Sequence, residues 1–227
     1  MNWQDKGFLL SSNKYNENSS IVEFFTKDHG KISGILFGST SKKIKSYLLI
    51  GNKFHLNYSS KNENSTGSFK VEIDKVNTAL HLDNKLKLSC IIYSIQIIKI
   101  LTVENQSNIK IFELIENLYK ILDDDNWLKR FVIWELDFFK LIGYEISFLD
   151  YAEKVTKNNK IFYVSKNDNS KIIPNFLVNN DDLVQNNQEI VDALSITGDF
   201  LKKSILNDND YSLPNSRINF ENLIEKL

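Results

Sequence analysis

The stretch "TKDHGKISGILFGSTSKKIKSYLLIGNKF", residues 26–54, combines β-forming residues, glycines and six lysines, and it decides the fold of the first part of the chain. Its segment "KDHGK" contains a glycine between two apolar runs and predicts the turn of a β-hairpin. Gly34 and Gly38 interrupt the returning strand, and isolated glycines in a strand indicate the bends of a small curled sheet. The stretch therefore predicts a hairpin and a lysine-rich connection to a fourth strand.

The runs on either side complete a set of five short strands. "GFLLSS" and "SIVEFFT" precede the turn, and "KFHLNYSS" and "SFKVEID" form a second hairpin after the lysines. Five strands with a bent third strand are typical of a five-stranded barrel of the OB type. A fragment of a β-sandwich would show the same periodicity, so the alternation by itself leaves both folds open. We predict an OB-fold domain over residues 1–76.

After residue 76 the hydrophobic period becomes helical, with apolar residues at helical spacing from residue 80 to residue 101. "IKIFELIENLYKIL" and "NWLKRFVIWELDFFKLIGY" predict two more amphipathic helices, and two terminal helices follow in "NNQEIVDALSITGDFLKKSIL" and "NSRINFENLIEKL". Between them, "KIFYVSKNDNSKIIPNF" predicts two short strands around an "NDNS" turn. The predicted class is α+β, with a helical domain over residues 77–227 that contains a β-hairpin insert at about 160–174.

Charge is distributed unevenly along the 227 residues, although the formal net charge is only −1. Residues 1–75 hold 11 lysines against 7 acidic residues, and the remainder is net acidic. A basic front on an acidic body indicates that one part of the molecule binds an anion. No apolar stretch approaches the ~18 residues of a membrane span, and the N-terminal residues lack the apolar core of a signal peptide. We therefore expect a cytoplasmic protein with no membrane partner.

No pattern typical of catalysis stands out. Gly34 and Gly38 have the wrong spacing for a phosphate-binding loop, and the three histidines lie far apart without a second metal ligand at helical spacing. The acidic run "DDDN" is typical of a helix N-terminus. One cysteine, Cys90, excludes both an intramolecular disulfide and a cysteine-based zinc site. We predict a protein that is not an enzyme and that holds no metal or cofactor.

Three motifs, in a fixed order, carry a resemblance to a known family. The first is "ENSSIVEFFTKDHG", residues 17–30, which runs into the glycine-and-lysine stretch ending at Ser46. The second is "LKRFVIWELDFFKLIGYEISF", residues 128–148, and the third is "LPNSRINFENLI", residues 213–224. Together with the order of barrel, helices, insert and terminal helices, they resemble the RecO family of bacterial recombination mediators and DNA repair proteins.

The resemblance implies a non-catalytic function in DNA repair. Such a protein binds single- and double-stranded DNA, anneals complementary strands and, together with RecR, helps RecA replace single-strand-binding protein on DNA. The resemblance also implies a bacterial, nucleoid-associated location in the cytoplasm.

Two features differ from the family pattern. Residues 144–178 lack the four zinc-binding cysteines of many relatives, and the basic stretch contains lysine where relatives usually have arginine, so it attracts phosphate without bidentate geometry.

The resemblance assigns DNA binding to the basic residues of the barrel. Counterion release from phosphates would give such residues a salt-sensitive affinity that is independent of sequence. The predicted DNA-binding residues are Lys42, Lys43 and Lys45, with Lys14, Lys31 and Lys53 as further members. Aromatic rings can add stacking on bases in an OB barrel. The candidate rings are Phe37, Phe54 and Tyr58, each of which could equally belong to the core.

The helical domain is expected to hold a protein-partner site. Relatives bind the acidic C-terminal tail of single-strand-binding protein, which requires an apolar pocket with a basic rim. Lys129 and Arg130 occupy the position of the family's basic pair and are the predicted tail-binding residues, and an intramolecular ion pair is the alternative for Arg130. Arg217, at the start of the last helix, is predicted to be structural.

Two other classes of function remain open. An OB-fold protein associated with RNA or the ribosome would prefer structured RNA and would not anneal strands. An enzyme that uses the barrel to recruit its substrate would need a deep pocket with convergent polar groups in the helical domain.

Overall fold

The computed structural model describes residues 1–62, 65–157, 160–166, 168–179 and 186–226. It divides into two compact units, Met1–Tyr119 and Lys120–Leu227. The first unit begins with a closed five-stranded barrel of strand order β1-β2-β3-β5-β4, which confirms the predicted OB barrel. Its strands are β1 (Asn2–Asn16), β2 (Ser19–Thr26), β3 (Gly30–Phe37), β4 (Lys53–Ser59) and β5 (Gly67–Lys75).

The barrel closes through one short parallel ladder between β3 and β5, while its other ladders are antiparallel. The 15-residue β1 pairs with both β2 and β4, and two irregularities in its ladder with β2 bend it around the barrel. Alternate residues of the strands fill the interior, as the period of two requires. The interior residues are Leu9, Val22, Phe24, Ile32, Leu36, Phe54, Leu56 and Phe69.

The lysine-rich connection between β3 and β4 forms a short helix, α1 (Lys42–Tyr47), where the sequence predicted only a connection. The Ser41 hydroxyl accepts a hydrogen bond from the Ile44 amide at the N-terminus of this helix. Three residues of the segment, Ile44, Tyr47 and Leu48, pack against the barrel interior. The connector thus closes one end of the barrel.

Two long helices follow the barrel, α2 (Lys85–Leu101) and α3 (Ile109–Leu122). The first unit ends within α3, at Tyr119. The helix predicted from residue 80 begins later than expected. A separate 3₁₀ turn forms over Thr78–His81, and the Asn84 side chain then accepts the Lys87 amide to start α2. The helix start is therefore set by the hydrogen bond of the Asn84 cap and not by the first apolar residue of the helical pattern.

The second unit consists of helices and one small sheet, as predicted. Its helices are α4 (Trp127–Leu141), α5 (Phe148–Tyr151), α6 (Asn175–Asn179), α7 (Asn187–Phe200) and α8 (Asn215–Ile224), and a π-helical turn over Leu201–Leu206 and a 3₁₀ turn over Asn207–Asn209 extend α7. The insert has three strands rather than two, β6 (Ala152–Lys157), β7 (Lys160–Ser165) and β8 (Asp168–Ile173). The predicted "NDNS" turn includes Asn167, which lies outside the described residues.

The predicted boundary after residue 76 stays a prediction, because compact units and evolutionary domains need not coincide. Residues 77–119, including all of α2, group with the barrel rather than with the later helices. Within the described ranges, no helix is both long enough and apolar enough to cross a membrane.

Candidate nucleic-acid interface

The three lysines of α1, Lys42, Lys43 and Lys45, are exposed, and we call them the connector lysines. Their exposure follows from the packing of the helix, because Ile44 and Tyr47 occupy the side that faces the barrel interior. None of the three ammonium groups forms an ion pair with any residue that the structure describes. They therefore present uncompensated positive charge to solvent.

The turn between β1 and β2 lies directly against the start of the connector. The Gly38 amide donates to the Asn18 carbonyl at 2.7 Å, and the Thr40 hydroxyl donates to the Asn18 side chain at 3.1 Å. The Ser20 and Ser39 hydroxyls, 2.8 Å apart, add a buried hydrogen bond. The hairpin turn and the connector thus form one continuous surface.

Lys14 reaches the same surface from β1. It is exposed and pairs across the ladder with Ser20, the residue that contacts the connector. One acidic residue, Glu17, lies in the turn between β1 and β2. Lys14 and the connector lysines therefore gather at one end of the barrel with an excess of positive charge.

Lys31 lies elsewhere and is engaged within the protein. It is buried at the other end of β3, and its ammonium group donates to the Lys99 carbonyl at 2.8 Å. Burial lowers the pKa of Lys31, and the nearby carboxylates of Glu23 and Glu104 counteract that effect. This arrangement joins β3 to the C-terminal end of α2 and leaves little of the side chain accessible to a phosphate.

Lys53 is also engaged within the first unit. Its ammonium group forms an ion pair with Glu116 and lies 3.7 Å from Asp74. The same group lies over the rings of Phe8 and Phe112, 5.7 and 5.2 Å from their centroids. Lys31 and Lys53, which were predicted to bind DNA together with the connector lysines, are therefore both engaged by contacts within the first unit.

The three candidate aromatic residues have three different environments. Phe54 is fully buried in the barrel. Tyr58 is half-buried and stacks on Trp3, with ring centroids 4.6 Å apart, and Trp3 also stacks on His29 at 4.0 Å. Phe37 is 64% exposed and directly precedes the connector. Among the three, the ring of Phe37 is the accessible one.

The predicted partner residues Lys129 and Arg130 lie on α4 in the second unit. Lys129 is buried, and its ammonium group lies 5.7 Å from the centre of the Phe176 ring. Arg130 is exposed and forms an ion pair with Asp124 at 3.2 Å. The two adjacent side chains therefore have different environments, and the alternative considered for Arg130, an intramolecular ion pair, is present.

The N-terminal barrel is also recognised in comparisons with known proteins. The family model described as "Recombination protein O N terminal" matches residues 1–74. A protein of Rhodospirillum centenum named "DNA repair protein RecO" is 22% identical over 97% of this chain and 93% of its own length. The chain is thus similar to RecO proteins over nearly its whole length, and its barrel matches the RecO N-terminal model. Proteins of the same name from Roseobacter denitrificans and Ehrlichia chaffeensis are 26% and 28% identical, each over 73% of this chain and 68% of their own length.

One RecO motif residue, Gly30, has a steric explanation in the barrel. Its φ of +73° is a conformation that favours glycine, and a Cβ at this position would lie 2.0 Å from the carbonyl oxygen of Gln106. The segment after α2 therefore approaches β3 too closely for any side chain. The glycine that ends the first motif fixes this approach.

The arginine of the third RecO motif, Arg217, lies in the core of the second unit. It is fully buried and forms an ion pair with Glu135 of α4. It also donates to the Glu221 carboxylate at 2.8 Å, the Leu194 carbonyl at 2.8 Å and the Thr197 hydroxyl at 3.1 Å. Its guanidinium thus connects three helices, and Glu135 was the partner that sequence reasoning did not identify.

The four-cysteine zinc site of many RecO relatives does not fit this chain. The sole cysteine, Cys90, is buried within α2 of the first unit. Among the described residues, no three histidine, cysteine, aspartate or glutamate side chains are arranged to hold a metal. The strands of the small sheet, β6–β8, are joined by antiparallel backbone pairing.

Proposed function

We propose that this protein is a DNA repair protein of the recombination-mediator type, which binds single- and double-stranded DNA through one end of its barrel. The observation that carries the proposal is the set of exposed lysines, Lys14 and the connector lysines, on a barrel that matches the RecO N-terminal model. Their ammonium groups are not neutralised by described acids, so they can exchange small cations for phosphates when DNA binds.

Lysine at these positions gives DNA binding without base selection. Each ammonium group acts as a compact point charge, whereas arginine would add the planar geometry that matches phosphate oxygens or guanine. Affinity carried by such charges depends steeply on salt and little on sequence. A mediator that must act wherever single-stranded DNA is exposed needs this kind of binding.

Annealing and partner binding are the finer parts of the proposal. Lysines that neutralise the phosphates of one strand reduce its repulsion from the complementary strand, which supports strand annealing. Similarity to the RecO proteins supports a joint function with RecR in helping RecA replace single-strand-binding protein. The exposed pair between Arg130 and Asp124 is of the weak surface kind, about 0–1 kcal/mol, so an acidic tail could replace the Asp124 carboxylate.

The decisive experiment reverses the charge of the connector lysines. The variant Lys42→Glu/Lys43→Glu/Lys45→Glu is compared with Lys110→Glu/Lys120→Glu/Lys202→Glu, which changes the same net charge at exposed positions outside the barrel. We expect the first variant to lose roughly 100-fold or more in affinity for single-stranded DNA at about 0.1 M salt and to anneal strands more slowly. The slope of log affinity against log salt should fall by about 2–3.

The control variant should retain most of the wild-type affinity and salt slope. Unchanged DNA affinity in the connector variant would refute the proposed DNA site. A wild-type preference for structured RNA over DNA, without strand annealing, would instead favour the RNA-associated alternative.

A further inference from the structure

The outer face of β1–β3 changes along its length in the polarity of its side chains and in how far the helices cover them. At the end near the β2–β3 turn, Phe8 and Phe25 are cross-strand partners and are fully buried. The Phe8 ring packs against Phe112 of α3, with centroids 5.1 Å apart. The helices of the first unit therefore cover this end of the outer face.

The next row of the face is polar and is also covered. Glu23 pairs with Ser11 on one side and Ser33 on the other. The Ser11 hydroxyl and the Lys99 ammonium group both contact the Glu23 carboxylate, and the Ser33 hydroxyl donates to Glu104 at 3.4 Å. The C-terminal end of α2 and the segment after it thus satisfy the polar groups of this row.

The last two rows present apolar side chains that the helices leave partly or largely exposed, beside a buried Ser19. Ile21 and Ile35 are cross-strand partners, and the next row pairs Ser19 with Phe37. Ile21 is 38% exposed, Phe37 is 64% exposed, and Ile35 is partly exposed. We call Ile21, Ile35 and Phe37 the open strand face. Exposed apolar side chains that form a contiguous patch mark a binding surface more often than isolated ones do.

Positive charge borders this patch directly. Phe37 is followed by the turn that leads into the connector lysines, and Lys14 reaches the same end of the barrel from β1. Four lysines therefore stand beside the open strand face, against the single carboxylate of Glu17 in the adjoining turn. An apolar surface with a basic border matches a ligand that is a polyanion with flat apolar parts.

We propose that the open strand face binds the bases of a single DNA strand while the neighbouring lysines hold its phosphates. This inference rests on the proposed DNA-binding function and adds the surface that distinguishes one strand from two. Every base has a π-face that can stack on Phe37 or pack on the two isoleucines, whatever the sequence. In a duplex those faces are stacked inside the helix, so only a single strand can use both parts of the surface.

The other aromatic cluster of the barrel is less suited to this task. Trp3 already stacks on both His29 and Tyr58, and Tyr58 also contacts Phe69, with centroids 5.0 Å apart. These rings stabilise the barrel by packing on each other and on the core. Phe37 has no such ring partner among the described residues, so its face is available to a base.

The test compares two probes that differ only in their bases, an oligothymidylate of about 15 nucleotides and an abasic sugar–phosphate strand of the same length. Phe37→Ala should weaken binding of the oligothymidylate roughly 5- to 100-fold, as expected for loss of a stacking platform. Its affinity for the abasic strand should stay within about twofold, since the lysines are unchanged. Phe37→Trp should retain wild-type affinity for the oligothymidylate, with quenching of its added fluorescence by the bound bases.

The matched control is Tyr211→Ala, which removes a half-exposed aromatic ring from the second unit. It should bind both probes as the wild type does. Because Phe37 is exposed, its replacement should leave the unfolding midpoint nearly unchanged, and this is measured alongside.

The outcomes separate this inference from the proposed function. If Phe37→Ala binds both probes as tightly as the wild type, or weakens both equally, the open strand face does not bind bases and the inference is overturned. The lysine site would survive either result. If the connector variant binds the abasic strand as tightly as the wild type, the proposed function itself fails.

Discussion

The connector helix α1 and the core of the second unit both carry positive charge, but in opposite environments. The connector lysines are exposed and have no described ion-pair partner, whereas the Arg217 guanidinium is fully buried among two carboxylates, a carbonyl and a hydroxyl. A buried charge must be matched within the protein because its desolvation costs several kcal/mol. An exposed charge keeps its hydration and stays available to a ligand. Position in the fold, rather than density along the sequence, separates the cations that the protein pairs internally from those that stay available to a ligand.

The largest effect should come from breaking the buried cluster. Arg217→Met leaves the Glu135 carboxylate buried without its partner, and we expect a loss of about 3–5 kcal/mol in the free energy of unfolding. Urea titration of the full chain measures this loss. The double variant Arg217→Met/Glu135→Leu should recover much of it, because the carboxylate that remains, that of Glu221, is partly exposed to solvent. A loss below about 1 kcal/mol in the single variant would contradict the structural role.

A smaller effect should separate the two kinds of barrel lysine. Lys53→Met removes the ion pair with Glu116 and the contacts with the Phe8 and Phe112 rings, and it should reduce stability by about 1–2 kcal/mol. Lys43→Met, at an exposed position, should change stability by no more than about 0.5 kcal/mol.

DNA affinity should rank the same two variants in the opposite order. Lys43→Met removes one phosphate contact and should lower the salt slope by roughly 0.7 for a single strand, while Lys53→Met should leave the slope unchanged. Fluorescence anisotropy at several salt concentrations provides the measurement. A larger loss of affinity in Lys53→Met would place that lysine in the DNA site after all.

The smallest effect should be a pH dependence from Glu23. Burial acts to raise the pKa of this carboxyl group, but hydrogen bonds from Lys99 and Ser11 and the charges of Lys99 and Lys31 outweigh it, so the pKa lies below its ordinary value of 4.5. The folded state therefore favours the carboxylate. This stabilisation is present above the ordinary pKa and is lost as the pH falls through the lower folded-state pKa.

The comparison that isolates this contribution is wild type against Glu23→Gln. We expect the difference in their free energies of unfolding to shrink by about 1 kcal/mol or less between about pH 7 and about pH 3. Urea titrations at the two pH values measure it. A difference that grows on acidification would show that burial, rather than the lysine contacts, dominates at this site.

Local patterns in the sequence were sufficient to locate the five barrel strands, although they left a β-sandwich open, and to locate α3, whose bounds match the predicted run "IKIFELIENLYKIL". They were not sufficient for α1, because a six-residue helix rich in lysine shows too few apolar positions to reveal a period. Local patterns also could not show that Lys31 and Lys53 have partners within the protein while the connector lysines are exposed. The groups that engage those two lysines, the Lys99 carbonyl and the Glu116 carboxylate, are more than sixty residues away in the chain.

The exposure of the open strand face could not be predicted from the sequence either. The alternation in "SIVEFFT" indicates that Ile21, Glu23 and Phe25 share one side of β2, but not which of them is covered. Coverage is decided by α2 and α3, whose packing on the barrel is a long-range property of the fold. Phe25 is buried, Glu23 is paired and Ile21 is left open as a result.

The helix that carries the connector lysines also closes the barrel, so the proposed binding of DNA to those lysines would be coupled to local opening of the barrel end. A helix of six residues has almost no stability of its own in water. It persists because Ile44, Tyr47 and Leu48 are held against the interior. DNA bound to its lysines would favour the closed state and should slow amide hydrogen exchange in this segment and in the strand ends beneath it. Release of DNA would then restore the ordinary fluctuation of the barrel end, so amide exchange in this segment would show whether DNA is bound.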